Sequence, residues 1–352
     1  MDRPTSVRAT VATPTQMRAV QLRAYDGKPE SIGVVEMPTP VPGRGEVLIR
    51  VYASPINPSD LHFVRGEYGF KKPLPTVPGF EGSGTVVGAG AGMLAQWLNG
   101  KRVSFAVAEA GVESGAWAQY VVTRALRCVP LRKAVDLEQA AAMLVNPLMA
   151  IALMDEARRG RHRAIVQTAA ASALGKMIIR LAKRSSIPLV NVVRRPEQVD
   201  ALRQAGAEHV LDSSAADFDA NLRRICRELG ATICFDAVAG AVGGRVLHAQ
   251  PKGSHLIVYG GLSGQPLPVT GGELIFDGKR VSGMWLSRWM TQRNPLRQLQ
   301  TANTVQSLLA GDLSSPIQAR LPLQDVARGL EQYANNMSAG KVLFMPQEGV
   351  PS

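Results

Sequence analysis

The chain is short of the residues that would build a disulfide framework, a thiolate metal cage or a membrane span. Its three cysteines, Cys128, Cys226 and Cys234, form no C-x-x-C pair and are odd in number. Neither a disulfide scaffold nor a four-cysteine zinc site can be assembled from them. That usage fits a reducing compartment, and a cytoplasmic location is expected. Five histidines, His62, His162, His209, His248 and His255, stand singly without metal-ligand spacing, so no metal is expected. The longest apolar stretch, 140–154, spans 15 residues and is broken by Asn146 and Pro147. A bilayer span needs about 20, so no membrane partner is expected.

What is present is a basic, Gly- and Pro-containing globular composition. Lys and Arg number 40 against 28 Asp and Glu, a net charge of +12 carried by 30 Arg and 10 Lys. Guanidinium forks in that excess favour phosphate-bearing partners: nucleic acid, phosphorylated cofactors or coenzyme A esters. The cluster RRGRHR (158–163) raises the nucleic-acid reading, but no aromatic residues interleave with it to stack bases. Residues 1–16 lack the apolar core of a secretory signal and read as a disordered leader, with a short organelle transit peptide as the alternative.

From Met17 to about residue 130 the pattern is strands and turns. RAVQL and EVLIRVYA are apolar runs, VVEMPTPVPGRGE is a Pro/Gly-rich connector, and GFEGSGTVVGAGAG is glycine-dense. From about 148 to 289 short apolar runs alternate with helical stretches: AIVQTA, PLVNVV, HVLDS, ICFDAV and HLIVYGG, each but the last followed by a helix. Leu222, Ile225, Cys226 and Leu229 recur at i, i+3, i+4, i+7 and predict one apolar helix stripe. Continuously apolar strands suit a parallel sheet covered on both faces. The alternation predicts a doubly wound α/β fold with a Rossmann-type domain at 148–289 and a β-rich domain formed by 17–147 and 290–352.

A dinucleotide site needs a strand, a permissive turn and a helix whose first amides receive the pyrophosphate. TAAASALG (168–175) occupies that turn, with Ser172, Ala173, Leu174 and Gly175 as the candidate contacts. Small residues and Gly175 are all that remain of the glycine signature. One strand later, where an acid would bind a ribose 2′-hydroxyl, stand Arg194 and Arg195. Two arginines neutralise and hydrogen-bond a 2′-phosphate, so NADPH is favoured over NADH; a solvated arginine loop is the bland alternative.

At these residues the chain resembles the medium-chain dehydrogenase/reductase superfamily over about 17–346, in the branch of mitochondrial-type NADPH-dependent enoyl thioester reductases and quinone reductases. The resemblance is carried by NPSDLHFVRGEYG (57–69), VNPLMA (145–150), NVVRRP with GAEHVL, and VYGGLSGQPL followed by LIFDGKRVSGMWLSRW. It implies a GroES-like β-rich catalytic domain beside the nucleotide domain. Asn57 and Phe80 stand where the zinc-dependent branch has its Cys and His ligands, and neither side chain can replace them.

The resemblance implies that Tyr68 is the general acid. It further implies Asn146, Trp285 and Leu286 near the nicotinamide, Tyr259, Gly260 and Gly261 over the cofactor, and Lys341 as a further contact. A homodimer through 281–286 is implied as well. The alternative for Tyr68 is an aromatic pocket wall. Met149, Ala150 and Ile151 replace the family's usual Thr-Ala-Tyr, which leaves an enoyl thioester (coenzyme A or carrier-protein linked) and a quinone or alkenal both open as substrates. A nucleic-acid-binding protein retaining the fold is the third reading.

Overall fold

The alternating runs after residue 160 form one sheet. In the computed structural model, which describes residues 13–107 and 114–347, two compact units are found: Met1–Leu131 with Arg320–Gln332 and Val342–Ser352, and Arg132–Ala319 with Tyr333–Lys341. Residues 1–12 of the expected leader lie outside the described residues, whereas Gln16 already opens the first strand.

The first unit contains strands β1 (Gln16–Leu22), β2 (Ile32–Pro38), β3 (Glu46–Pro55), helix α1 (Pro58–Val64), β4 (Glu81–Ala89), α2 (Met93–Leu98), β5 (Arg102–Ala106), β6 (Tyr120–Arg124) and β7 (Cys128–Pro130). β1 and β2 form a separate antiparallel ribbon, from Gln16 opposite Pro38 to Leu22 opposite Ile32. The supposed Pro/Gly connector therefore begins as a strand, because a ribbon end tolerates proline where a central strand would not. β3 is the hub of the larger sheet, antiparallel to β4 and β6, with β5 on β4 and β7 on β5. Val47, Ile49, Val51, Val103, Phe105 and Val121 fill its core.

The second unit contains α3 (Leu137–Ala141), α4 (Asn146–Arg159), β8 (Ala164–Gln167), α5 (Ala173–Arg184), β9 (Leu189–Val193), α6 (Pro196–Gln204), β10 (His209–Asp212), α7 (Phe218–Leu229), β11 (Ala231–Asp236), α8 (Gly240–Ala249), β12 (His255–Val258), α9 (Gly271–Ile275), β13 (Arg280–Gly283), α10 (Leu286–Thr291) and α11 (Pro295–Leu308). Its sheet is parallel in the order β10-β9-β8-β11-β12-β13. Counted from β8 that is the doubly wound order of dinucleotide-binding folds, with its switch point between β8 and β11. The predicted α7 stripe is inward: Leu222, Ile225 and Cys226 are buried and Leu229 packs beside them.

The chain then continues through β14 (Ile317–Leu321), α12 (Val326–Asn335) and β15 (Lys341–Phe344). β15 pairs with β3 through Leu343–Pro55 and Phe344–Ser54. The tail thus joins the first unit only from Arg320, not from residue 290. Side-chain bonds hold the intervening stretch in the second unit: Gln139 bonds Ser315 in both directions at 2.9 and 3.0 Å. Arg180 donates to the carbonyls of Asp312 and Ser314 at 2.7 Å each. The start at Arg132, ahead of the expected 148, has a similar cause, since its amide and guanidinium bond Gln306, Ser307 and Asn303. Among the described residues no helix is long and apolar enough to cross a membrane.

Candidate active site

In the first unit the segment 57–69 folds as a capped helix and a loop. Asn57 caps α1: its amide donates to the Asp60 carboxylate at 2.8 Å, and the reciprocal half of the capping box is present. Its side-chain amide donates to Glu81 Oε1 at 2.9 Å, all of it buried. The residue in the zinc-ligand slot is thus a cap, and Phe80 beside it is a buried ring.

Tyr68 follows α1 and is partly buried. Its ring packs on Phe80, centroids 4.8 Å apart, and edge-on to Phe70 at 5.1 Å; Phe63 touches both phenylalanines. Four residues further, Lys72 is buried, donating from Nζ to the Ser114 carbonyl at 2.8 Å. Its own amide and carbonyl both bond the Tyr25 hydroxyl, at 2.8 and 2.9 Å. Burial pulls the Lys72 ammonium down to about 8, against a smaller opposing pull from Asp60. The loop carrying Tyr68 is therefore bedded on aromatics and tied at its far end.

In the second unit the switch point is built from side chains as well as backbone. Thr168, just past β8, donates to Asp236 Oδ1 at 2.6 Å and accepts from the Ala237 amide at 2.9 Å. Asp236, fully buried at the end of β11, also receives the amides of Val238 and Ala239 at 3.0 Å each. Sequence reasoning missed this pair; its signal was a polar residue, Thr168 or Asp236, closing each of two apolar runs.

The turn after β8 fits a pyrophosphate. Ser172 caps α5, its hydroxyl accepting from the Gly175 amide at 3.1 Å. The amides of Ala173 and Leu174, first in a helix of 12 residues, are the donors that no turn of helix can satisfy. A Cβ on Gly175 would lie 2.4 Å from the Ala170 carbonyl oxygen, so the close approach survives although the paired glycines are gone. Ala169 takes the left-handed backbone, φ +51°, where a glycine would be unstrained.

The remaining candidates are scattered around the same end of the sheet or away from it. Arg194 and Arg195 follow β9, both exposed, and neither guanidinium has an ion pair among the described residues. The loop Tyr259 to Ser263 bonds back to 236–238 through the amides of Tyr259, Leu262 and Ser263 at 2.9 to 3.0 Å. A Cβ on Gly260 would meet the Ala237 carbonyl at 2.9 Å. The Tyr259 hydroxyl is enclosed and has no hydrogen-bond partner among the described residues, and burial, then Asp236 and Cys234, push its pKa well up. It is the backbone of this loop, not that hydroxyl, that is available. Asn146 is buried in the first turn of α4; Trp285 is exposed as the cap residue of α10, and Leu286 follows it. Lys341 is fully buried, its Nζ 5.7 Å from the Tyr333 ring centroid. Of the cluster at 158–163, Arg158 bonds Ser185, Arg159 pairs with Asp155 and Glu156, and His162 bonds Thr232.

Residues 43–133 match the alcohol dehydrogenase GroES-like domain, and 173–301 the zinc-binding dehydrogenase domain. A solved structure from Mesorhizobium loti, assigned to the NADPH:quinone reductases, is 36% identical with a TM-score of 0.86, covering 95% of this chain and 100% of its own. The chain belongs to the medium-chain dehydrogenase/reductase superfamily. This medium-chain oxidoreductase is also similar to mitochondrial enoyl-[acyl-carrier-protein] reductases. The Bos taurus protein is 27% identical over 340 residues, 95% of this chain and 90% of that one. The Homo sapiens protein is 28% identical over 328 residues, covering 91% and 86%. The reductase is thus an enzyme of the NAD(P)-dependent type, with the expected GroES-like and Rossmann-type domains.

Proposed function

We propose that the enzyme reduces the activated C=C bond of an α,β-unsaturated carbonyl with NADPH, an enoyl thioester being the first substrate. The observation that carries this reading is Tyr68, a partly buried phenol bedded on Phe70 and Phe80 in the segment that resembles the enoyl reductases. When bound, NADPH supplies the hydride. The Ser172 cap and the Ala173 and Leu174 amides would hold its pyrophosphate, Arg194 and Arg195 its 2′-phosphate, and the 259–261 backbone would offer further contacts. Asn146, Trp285 and Leu286 would orient the nicotinamide end. Hydride at Cβ leaves an enolate, and Tyr68 gives its phenolic proton to Cα, regaining one from water afterwards. A group with a high pKa suits that transfer.

The 36% identity to the Mesorhizobium loti protein favours a second reading, reduction of a quinone or alkenal. NADPH oxidation measured with enoyl-CoA esters, quinones and 2-alkenals at equal concentration separates the two. Faster turnover of quinones than of every enoyl ester would reverse the order. The same proposal includes a cytoplasmic setting and a homodimer. β13 is exposed along its whole length at the sheet edge, and pairing with its own copy would cover that edge. Light scattering at micromolar protein should give a dimer mass; a monomer refutes this part.

A further inference from the structure

The first unit carries an apolar patch that the chemistry above does not use. Hydrogen bonds join three segments into one surface: the Gly45 amide donates to Ala91 at 2.7 Å, the Ala125 amide to Gly45 at 2.9 Å, and the Gly90 amide to Glu46 at 3.0 Å. From this surface protrude Val41, 86% exposed, Met93, 93%, Leu126, 84%, and Trp97, 54%. Apolar side chains that exposed gain nothing in water.

Charge around them is mostly basic. The segments 39–46, 88–102 and 120–128 hold five basic residues, Arg44, Lys101, Arg102, Arg124 and Arg127, against one acid, Glu46. The Glu46 carboxylate already receives the Gly43 amide at 2.9 Å. Lys101 lies over the Trp97 ring, Nζ 2.9 Å from its centroid, which places an aromatic ring and a cation together as at a membrane interface.

We infer that this patch seats the enzyme on an anionic lipid surface. Near-complete exposure means that Val41, Met93 and Leu126 each stand out alone. Such knobs enter a deformable headgroup layer readily, whereas a protein partner would need a matching pocket for each. Of the basic residues, Arg44 and Arg124 are exposed and meet anionic headgroups. The absence of a spanning helix excludes only crossing, not this attachment.

The full-length protein is floated with vesicles of phosphatidylcholine alone or mixed with phosphatidylserine. It should bind the mixed vesicles, release at high salt, and show a blue-shifted Trp97 emission that Trp97→Phe removes. Replacing Arg44 or Arg124 with Ser should weaken partitioning about fivefold each. Met93→Ser combined with Leu126→Ser should abolish binding while thermal unfolding and NADPH oxidation stay unchanged, both positions being solvent-facing. No binding to mixed vesicles, or equal binding by the double variant, overturns the inference. So does retention on polyglutamate as strong as on vesicles, which would make the partner an acidic polypeptide. A fall from dimer to monomer in the double variant would assign the patch to a second copy instead.

Discussion

Replacing Arg194 and Arg195 with serine tests the cofactor assignment without disturbing the fold. Both side chains are exposed and make no ion pair among the described residues, so the unliganded protein loses no partner. Arg195 stands at the N-cap of α6 with extended backbone, φ −137° and ψ 141°, and no side-chain cap bond. Serine there can supply the missing cap, a gain of about 0.5 to 1 kcal/mol in the empty enzyme. A charge-assisted contact to the 2′-phosphate is worth roughly 1.5 to 3 kcal/mol, and solvent screening at an exposed loop favours the lower end. The double variant should therefore bind NADPH on the order of tenfold to a hundredfold more weakly, with NADH affinity unchanged. Calorimetric titration with each cofactor measures this. A parallel thermal series reads the same loss, because ligand stabilisation scales with the logarithm of concentration over Kd. NADPH affinity within about threefold of wild type, less than a single such contact contributes, would refute the reasoning. An equal loss for NADH would refute it too.

Tyr68→Phe keeps the ring on its aromatic bed and removes the transferable proton; kcat on an enoyl thioester should fall roughly 10²- to 10⁴-fold while quinone turnover and NADPH affinity hold, as steady-state assays on both substrates would show. Gly175→Ala forces a methyl to 2.4 Å from the Ala170 oxygen, and urea denaturation should record a loss of about 1 to 3 kcal/mol together with weaker cofactor binding. The lysine at 72 gives a pH signature. Between about 8 and 10.5 it is neutral when folded and protonated when unfolded, so the unfolded state binds more protons and stability rises with pH. Wild type should gain on Lys72→Met across that window by about 2 to 3 kcal/mol, and a flat difference would show that the ammonium is not desolvated.

The strand-helix alternation was legible because the central parallel strands β8, β9 and β11 are buried on both faces and the helices beside them on one. Val166, Val190, Leu222 and Cys226 announce that geometry through composition alone. The strand β2 was not legible, since Pro38, Pro40 and Pro42 signal a break and only pairing with β1 makes Ile32–Pro38 extended. Nor was the unit boundary. The bonds from Gln139 to Ser315 and from Arg180 to Asp312 link residues more than a hundred positions apart, and no local pattern encodes such a link. Of the candidate site, the tight turn was legible at Gly175, where a Cβ would meet the Ala170 carbonyl oxygen at 2.4 Å. The complete burial of Lys341 was not legible, because a family position names a residue and not its surroundings.

The Thr168–Asp236 clamp changes how the loop after β11 behaves. Three successive amides, those of Ala237, Val238 and Ala239, donate to side-chain oxygens of these two residues, and the next loop hangs its own amides on the carbonyls of 236–238. Slow hydrogen exchange should consequently run past the last residue of β11 into both loops, opening only with the central sheet itself. The floor of the candidate nucleotide crevice should thus rank with the most protected part of the second unit, although it has the sequence of two turns.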